Sequence, residues 1–323
     1  MKWIRRIVSF IERRLLIKRL NRTFLLNKHT HLTLKGSYSF SKGVIISEGV
    51  TLSVPPQGRL EIGIGVFIGK DSELGAGKQL SIGDRTSIQV RSTLLGNITM
   101  GRGCVCAPNL YISSGIHHYQ TTPELPIKIQ DALARNAPEN DAHTVTVGDD
   151  CWLGINVVVM RGITIGKGCV VGSNSVVTKS LPPYSIAVGA PAKVIKKRLE
   201  FVPPKTIVAN NNRDYPYFYS GIQAFYDSEE DDQKLKRDQN GFLLDQHFIL
   251  ALDAKKGSKI HLTIWASNEG SIQFQGAQKN FVPGENTIQF DILNEVESHF
   301  FEFFIPHTSP HQISLIRAQV LDV

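Results

Sequence analysis

Aliphatic residues recur along this chain at a step of six. Ile82 opens the longest run, continued by Ile88, Leu94, Met100, Cys106 and Ile112, and a second run passes through Val147, Leu153, Val159, Ile165, Val171 and Val177. Ile62, Ile68 and Leu74 make a shorter run upstream, with Ile46 and Leu52 before it. The next residue is glycine at Gly63, Gly69, Gly75, Gly83, Gly101, Gly148, Gly154, Gly166 and Gly172, and the fourth after it is usually small or apolar. Such a step does not fit a helix of period ~3.6. It predicts short flat strands joined by corners, three to a coil, each coil covering the apolar face of the last.

The register assigns the cysteines. Cys106 occupies an aliphatic position, and Cys104, Cys151 and Cys169 each fall four residues after one, so all four read as small fillers of a core. One position breaks the pattern. Six residues after Ile112, in "ISSGIHHYQ", the chain has His118, and the repeat is lost until Val147. A long unpatterned insertion inside a compact repeat, here 119–146, points to function.

The two ends follow other periods. In 1–26, Trp3, Ile4, Ile7, Val8, Ile11 and Leu15 share one side of a helix and arginines fill the other, which predicts a basic amphipathic helix within an N-terminal segment 1–30. It either lies on an anionic membrane surface or covers the first coil. Residues 201–240 read as an irregular linker holding the charged run "DSEEDDQKLKRDQ". From Gly241 onward, six strand-like runs separated by turn residues predict an antiparallel β-sandwich over 241–323, with Trp265 able to stack on a sugar.

Charge changes this picture in one respect. The formal net charge is +7, yet 1–31 alone holds nine Lys or Arg against Glu12, so the rest of the chain is close to neutral and no basic body for nucleic acid is indicated. No apolar run has the ~18 residues of a membrane span and the N-terminus lacks the core of a secretory signal, so the expected location is the cytoplasm, with a peripheral place at the inner membrane face if 1–26 binds lipid.

The segment 147–198, with "DDCWLG", "GSNSVVTKSLPPYSIAVGAPAK" and a basic tail, resembles the hexapeptide-repeat acetyl-CoA-dependent O-acetyltransferases, among them the galactoside, maltose, xenobiotic and capsule or O-antigen enzymes. The resemblance covers 44–198 and implies a left-handed parallel β-helix, all-β in class, over 31–200. The sandwich is jelly-roll-like, faintly similar to carbohydrate-binding modules. The resemblance also implies acetyl-CoA as co-substrate, no metal, a homotrimer with each active site between two subunits, and a glycan hydroxyl as acceptor. "YISSGIHH" is similar to the strand ending at the family's catalytic histidine, three residues after a glycine and six after the aliphatic one. Those spacings select His118 as general base, with His117 as second choice. A hydroxyl needs such a base to lose its proton as it attacks a thioester, and imidazole titrates near working pH.

Trp152 is a candidate wall for the acetyl end, or a plain corner residue. By the same resemblance Ile155, Ser173, Thr178 and Lys179 line the pantetheine and adenine groove, and Lys193 and Lys196 approach the phosphates, where lysine replaces the family's arginine and forgoes its bidentate fork. Three rivals stay open: a small-molecule or antibiotic acceptor, a non-catalytic glycan-binding scaffold, and the three-histidine metal site of γ-type carbonic anhydrases, for which the nearby histidines are His117, His118 and, in the insertion, His143.

Overall fold

The computed structural model describes residues 24–27, 29–134, 143–223, 241–296, 298–306 and 313–322. The chain forms two compact units, one ending at Glu200 and the other beginning at Phe201. The predicted helix falls mostly outside the described residues, as does any membrane contact it would make. Its last three positions are a strand: Phe24–Leu26 pairs in parallel with Val44–Ile46.

The first unit is a parallel β-helix whose inward residues form three files. Ile46, Ile68, Ile88, Cys106, Leu153, Val171 and Ala187 stack along the first face. Leu52, Leu74, Leu94, Ile112, Val159 and Val177 stack along the second. Ile62, Ile82, Met100, Val147, Ile165 and Leu181 stack along the third. Every aliphatic of the six-residue repeat lies in one of these files and is buried. The period predicted the faces because two residues per strand and four per corner return the chain to an inward position at each step.

The glycines after the inward residues serve close approach rather than unusual backbone angles. A Cβ on Gly148 would lie 2.6 Å from the Lys167 amide nitrogen, and one on Gly154 would lie 2.7 Å from that of Ser173. Elsewhere the corners do turn left-handed, at Asn109, Asn156 and Asn174, residues that tolerate positive φ. Their side chains form a ladder between the first and second faces: Asn109 Nδ2 donates to Asn156 Oδ1 at 2.8 Å and Asn156 Nδ2 to Asn174 Oδ1 at 2.8 Å.

The β-helix also extends upstream of Ile46, where the six-residue repeat starts, through the first part of the expected 31–200. His31–Leu34 pairs with Thr51–Val54 and Ser37–Phe40 with Arg59–Ile62. These coils step by more than eighteen residues, since extra residues sit at the corners near Pro55 and Gly77, which is why the strict period misses them. All four cysteines are buried and free. Burial pushes Cys106 and Cys169 up, the latter to about 11, and the neighbouring Cys104 with burial pushes up Cys151, so none of these three is a ready thiolate.

The second unit is antiparallel. Nine strands among its described residues form one hydrogen-bonded network in the order Ala277–Phe281, Gly270–Phe274, Phe300–Phe304, Phe242–Ala251, Ile313–Leu321, Lys259–Ala266, Gly284–Asp291, with Thr206–Val208 on Ile313–Leu321 and Phe218–Gln223 on Phe242–Ala251. Its core is aromatic: the rings of Phe248 and Phe303 stack with centroids 5.1 Å apart, and those of Phe274 and Phe303 at 4.8 Å. The stretch read as an irregular linker therefore supplies two strands of this sheet. Trp265 is half-buried, opposite Glu285 and Ser314.

Lys167 is wholly buried at the corner between third and first faces. Burial lowers its pKa to about 8, with Asp149 and Asp150 opposing the shift. Between pH 8 and 10.5 the unfolded chain therefore binds more protons at this residue than the folded one, so its linkage makes stability rise with pH across that window. Denaturant melts of wild type and Lys167→Met should diverge in slope there, the wild type gaining up to about 3 kcal/mol relative to the variant. Ile165→Ala should cost about 2–5 kcal/mol in the same melts, whereas outward-facing Thr164→Ala should stay within about 0.5.

Candidate active site

The strand Tyr111–Ser113 lies on the second face between Thr93–Met100 and Val158–Val159. After it the chain keeps the ladder for one more residue, Ser114, whose amide donates to Leu95 O at 3.0 Å and whose hydroxyl accepts from the Asn97 amide at 2.7 Å. It then leaves the coil through Gly115, His117 and His118 and re-enters at Val145–Val147 on the third face. The excursion does not disturb the stack, because Cys106 pairs with Leu153 across it as neighbouring coils pair with each other.

A short helix, α1 (Ile127–Leu133), is the only regular element among the described residues of the insertion. Its burial pattern is inverted: Gln130 is its one buried residue, while Ile127 is 52% and Leu133 72% exposed. Gln130 is buried because it ties the loop together, its Nε2 donating to Leu125 O at 2.8 Å and its Oε1 accepting from the Thr122 amide at 3.1 Å. The next residue, Asp131, faces the histidines. Its Oδ2 lies 2.6 Å from His117 Nδ1 and its Oδ1 accepts from the His118 amide at 2.7 Å. Those two contacts, the His118 amide first and the His117 ring second, hold the Asp131 carboxyl below its ordinary value. The carboxylate therefore acts on the ring of His117 and on the backbone of His118. The His118 side chain is half-buried and that of His117 is exposed.

Two clefts lie on the edge between second and third faces where the histidines emerge. The nearer, about 190 Å³, is lined by Gly77, Leu95, Gly96, Asn97 and Ser113 through Gly115. The other, about 400 Å³, is lined by Pro55 through Gly58 with Gly77 and Lys78, and the two share Gly77. Thr178 and Lys179 sit on this same edge, two strand spacings or ~10 Å along it from the end of Tyr111–Ser113.

The remaining predicted residues lie elsewhere on the prism. Ile155 and Ser173 occupy the edge between first and second faces, beside the asparagine ladder, both exposed. Trp152 points outward from the first face, 55% exposed, between Val105 and Val170. Lys193 and Lys196 are exposed on the strand Lys193–Lys197, which doubles back antiparallel on Ser185–Val188 at the end of that face. Within one chain, then, the histidines and Ile155 and Ser173 are on opposite edges of the second face. Asp131 and Gln130 were not predicted, since nothing in the sequence marks which acid of an irregular loop will fold back on a histidine. Among the described residues no group of three or more His, Cys, Asp or Glu is arranged to hold a metal.

Residues 144–179 match the family model described as bacterial transferase hexapeptide (six repeats). A protein designated a probable acetyltransferase in Mycobacterium tuberculosis is 39% identical over 172 residues, 52% of this chain and 52% of its own length. Of solved structures, a hexapeptide-repeat-containing acetyltransferase of Vibrio cholerae complexed with acetyl coenzyme A is 26% identical with a TM-score of 0.32, over 43% of this chain and 70% of that one. A maltose O-acetyltransferase of Clostridium difficile is 22% identical with a TM-score of 0.27, over 56% of this chain and 73% of that one. The chain thus spans about half the length of this curated relative.

Shortening the Gln130 side chain would strand the Thr122 amide and the Leu125 carbonyl. Gln130→Ala should therefore leave the thermal midpoint of the β-helix nearly unchanged while limited proteolysis cuts faster between residues 119 and 134; equal cutting of both proteins would show that Gln130 does not brace the loop. The repeat match and the relative together bear out the resemblance read from the sequence, that of a chain similar to the hexapeptide-repeat acetyltransferases.

Proposed function

We propose that this protein transfers an acetyl group from acetyl-CoA to a hydroxyl of a glycan, with a histidine of the 117–118 pair as general base. The observation that carries the reading is the place where the coil opens: two adjacent histidines leave the β-helix beside a carboxylate, just after the residues Ser113 to Gly115 that line a cleft. A base there can take the hydroxyl proton as the new C–O bond forms and return it to the departing thiolate of coenzyme A, with no acyl-enzyme required. Acetyl-CoA supplies the thioester. The residues fit it in kind: Ser173, Thr178 and Lys179 are exposed polar groups beside the corners, and Lys193 and Lys196 offer cations for phosphates.

A homotrimer would complete the site. Residues expected to hold the cofactor are split between the two edges of the second face, and three prisms arranged with that face toward a common axis bring the histidine edge of each copy against the other edge of its neighbour. The exposed apolar side chains of Ile127, Ile129 and Leu133 on α1 support a protein partner at the same place.

A glycan rather than a small acceptor is favoured by the clefts. Alone, the one beside Gly115 is smaller than the ~300 Å³ at which ligand pockets usually begin, but its continuation past Gly77 to Pro55 gives room for a chain of sugars.

The test is thiol release from acetyl-CoA by the purified full chain against capsular and lipopolysaccharide oligosaccharides and against antibiotic acceptors. Release is expected with an oligosaccharide, and replacing the basic histidine by alanine should lower it by about 10²–10⁴-fold. Release only with a small acceptor would overturn the glycan assignment. Absence of acetyl-CoA binding by calorimetry would leave a glycan-binding scaffold in place of the enzyme.

A further inference from the structure

We infer that His117 is the base and that Asp131 is its positioning residue. The inference rests on the acetyl-transfer reading above and deepens it. A carboxylate has two oxygens, and here each is assigned. Oδ2 meets the ring of His117 at 2.6 Å, while Oδ1 takes the amide of His118 at 2.7 Å and so fixes the backbone from which His117 projects. A neutral imidazole with an anionic acceptor at Nδ1 keeps its proton on that nitrogen, which leaves the Nε2 lone pair free for an acceptor hydroxyl. The same carboxylate favours the imidazolium that forms when the proton arrives.

The carboxylate is held from behind. Gln130 anchors α1 to both ends of the 122–125 turn, so Asp131 reaches the histidines from a braced helix rather than a free loop. Among the described residues, the groups that act on Asp131 are His117 and His118. His118 has its amide in this contact, so its part in the arrangement runs at least through the backbone.

The experiment compares wild type with Asp131→Asn, Asp131→Ala, His117→Ala and His118→Ala. An asparagine presents one oxygen to two donors, so Asp131→Asn should lose one of the two contacts without emptying the site. Expected results are loss of about 10²–10⁴-fold in kcat for His117→Ala, the range a general base supplies. His118→Ala keeps the amide that Asp131 accepts from, so it should lose at least tenfold less kcat than His117→Ala. Asp131→Asn should lower kcat by about tenfold or more with KM for acetyl-CoA unchanged.

A nitrogen-15 spectrum of labelled protein gives a readout that does not need turnover: His117 should be the Nδ1-protonated tautomer in wild type and a mixture in Asp131→Ala. Unchanged kcat in both Asp131 variants would overturn the positioning role while leaving acetyl transfer intact. Full activity in His117→Ala with none in His118→Ala would move the base to His118. If no acceptor supports turnover, the acetyl-transfer reading fails on its own, and the tautomer alone decides Asp131: loss of the Nδ1 proton in Asp131→Ala sustains it, and identical spectra remove it.

Discussion

Everything in the first unit depends on coils approaching one another at the spacing of hydrogen-bonded strands, ~4.8 Å. At that distance an inward side chain is covered only by its neighbours in the same file, which is why Ile165 or Leu153 can be fully buried in a structure only one coil thick in each direction. The same distance leaves no room for a Cβ where Gly148 passes Lys167 or Gly154 passes Ser173. The aliphatic residue and the glycine after it are thus two halves of one constraint. One fills the space inside a coil and the other permits the next coil to come close enough to cover it.

A stack built this way tolerates insertion at a corner. Pairing of Cys106 with Leu153 resumes after the excursion as though the intervening residues were absent, because each strand needs only its two neighbours. The excursion is free to carry polar groups that no coil could hold. Its order comes from side chains instead of a ladder: Gln130 supplies both a donor and an acceptor to the turn at 122–125, and Asp131 supplies two acceptors to the histidines. Four hydrogen bonds from two adjacent residues thus carry the loop back to the coil it left.

The β-helix was legible because its period is a geometric property of the fold, so Ile46 through Val177 could be assigned inward positions without any structure. Legibility failed wherever the period stretched. The coils at 31–40 carry no glycine after their inward residues, and their pairing steps past the extra corner residues near Pro55. In the second unit six strands showed through their alternation, but Ala277–Phe281 did not, since four of its five residues are exposed and only Phe281 reaches the core. It is joined to Gly270–Phe274 by Gln275 and Gly276, both at positive φ, a two-residue turn that the sequence announces less clearly than Asn-Gly would. In the site, the histidine pair was legible from its break in register. A spacing rule counts residues along a strand, however, and cannot see the Asp131 carboxylate returning to His117 from fourteen residues away.

That last difference separates two kinds of functional information. Residues that belong to the repeat, such as Ile155, Ser173 and Thr178, inherit their places from it, and their distribution over two edges follows from which corner each one occupies. Residues of the insertion take their places from one another. The inward-facing Gln130 and outward-facing Ile127 and Leu133 of α1 show the consequence, since a helix folded for the sake of its own chain would bury the opposite set. Its polar side meets the histidines and its apolar side chains are exposed. In the trimer proposed above, a neighbour docking on that apolar side would touch the same helix that carries Asp131, so assembly and the contact to His117 would share one element.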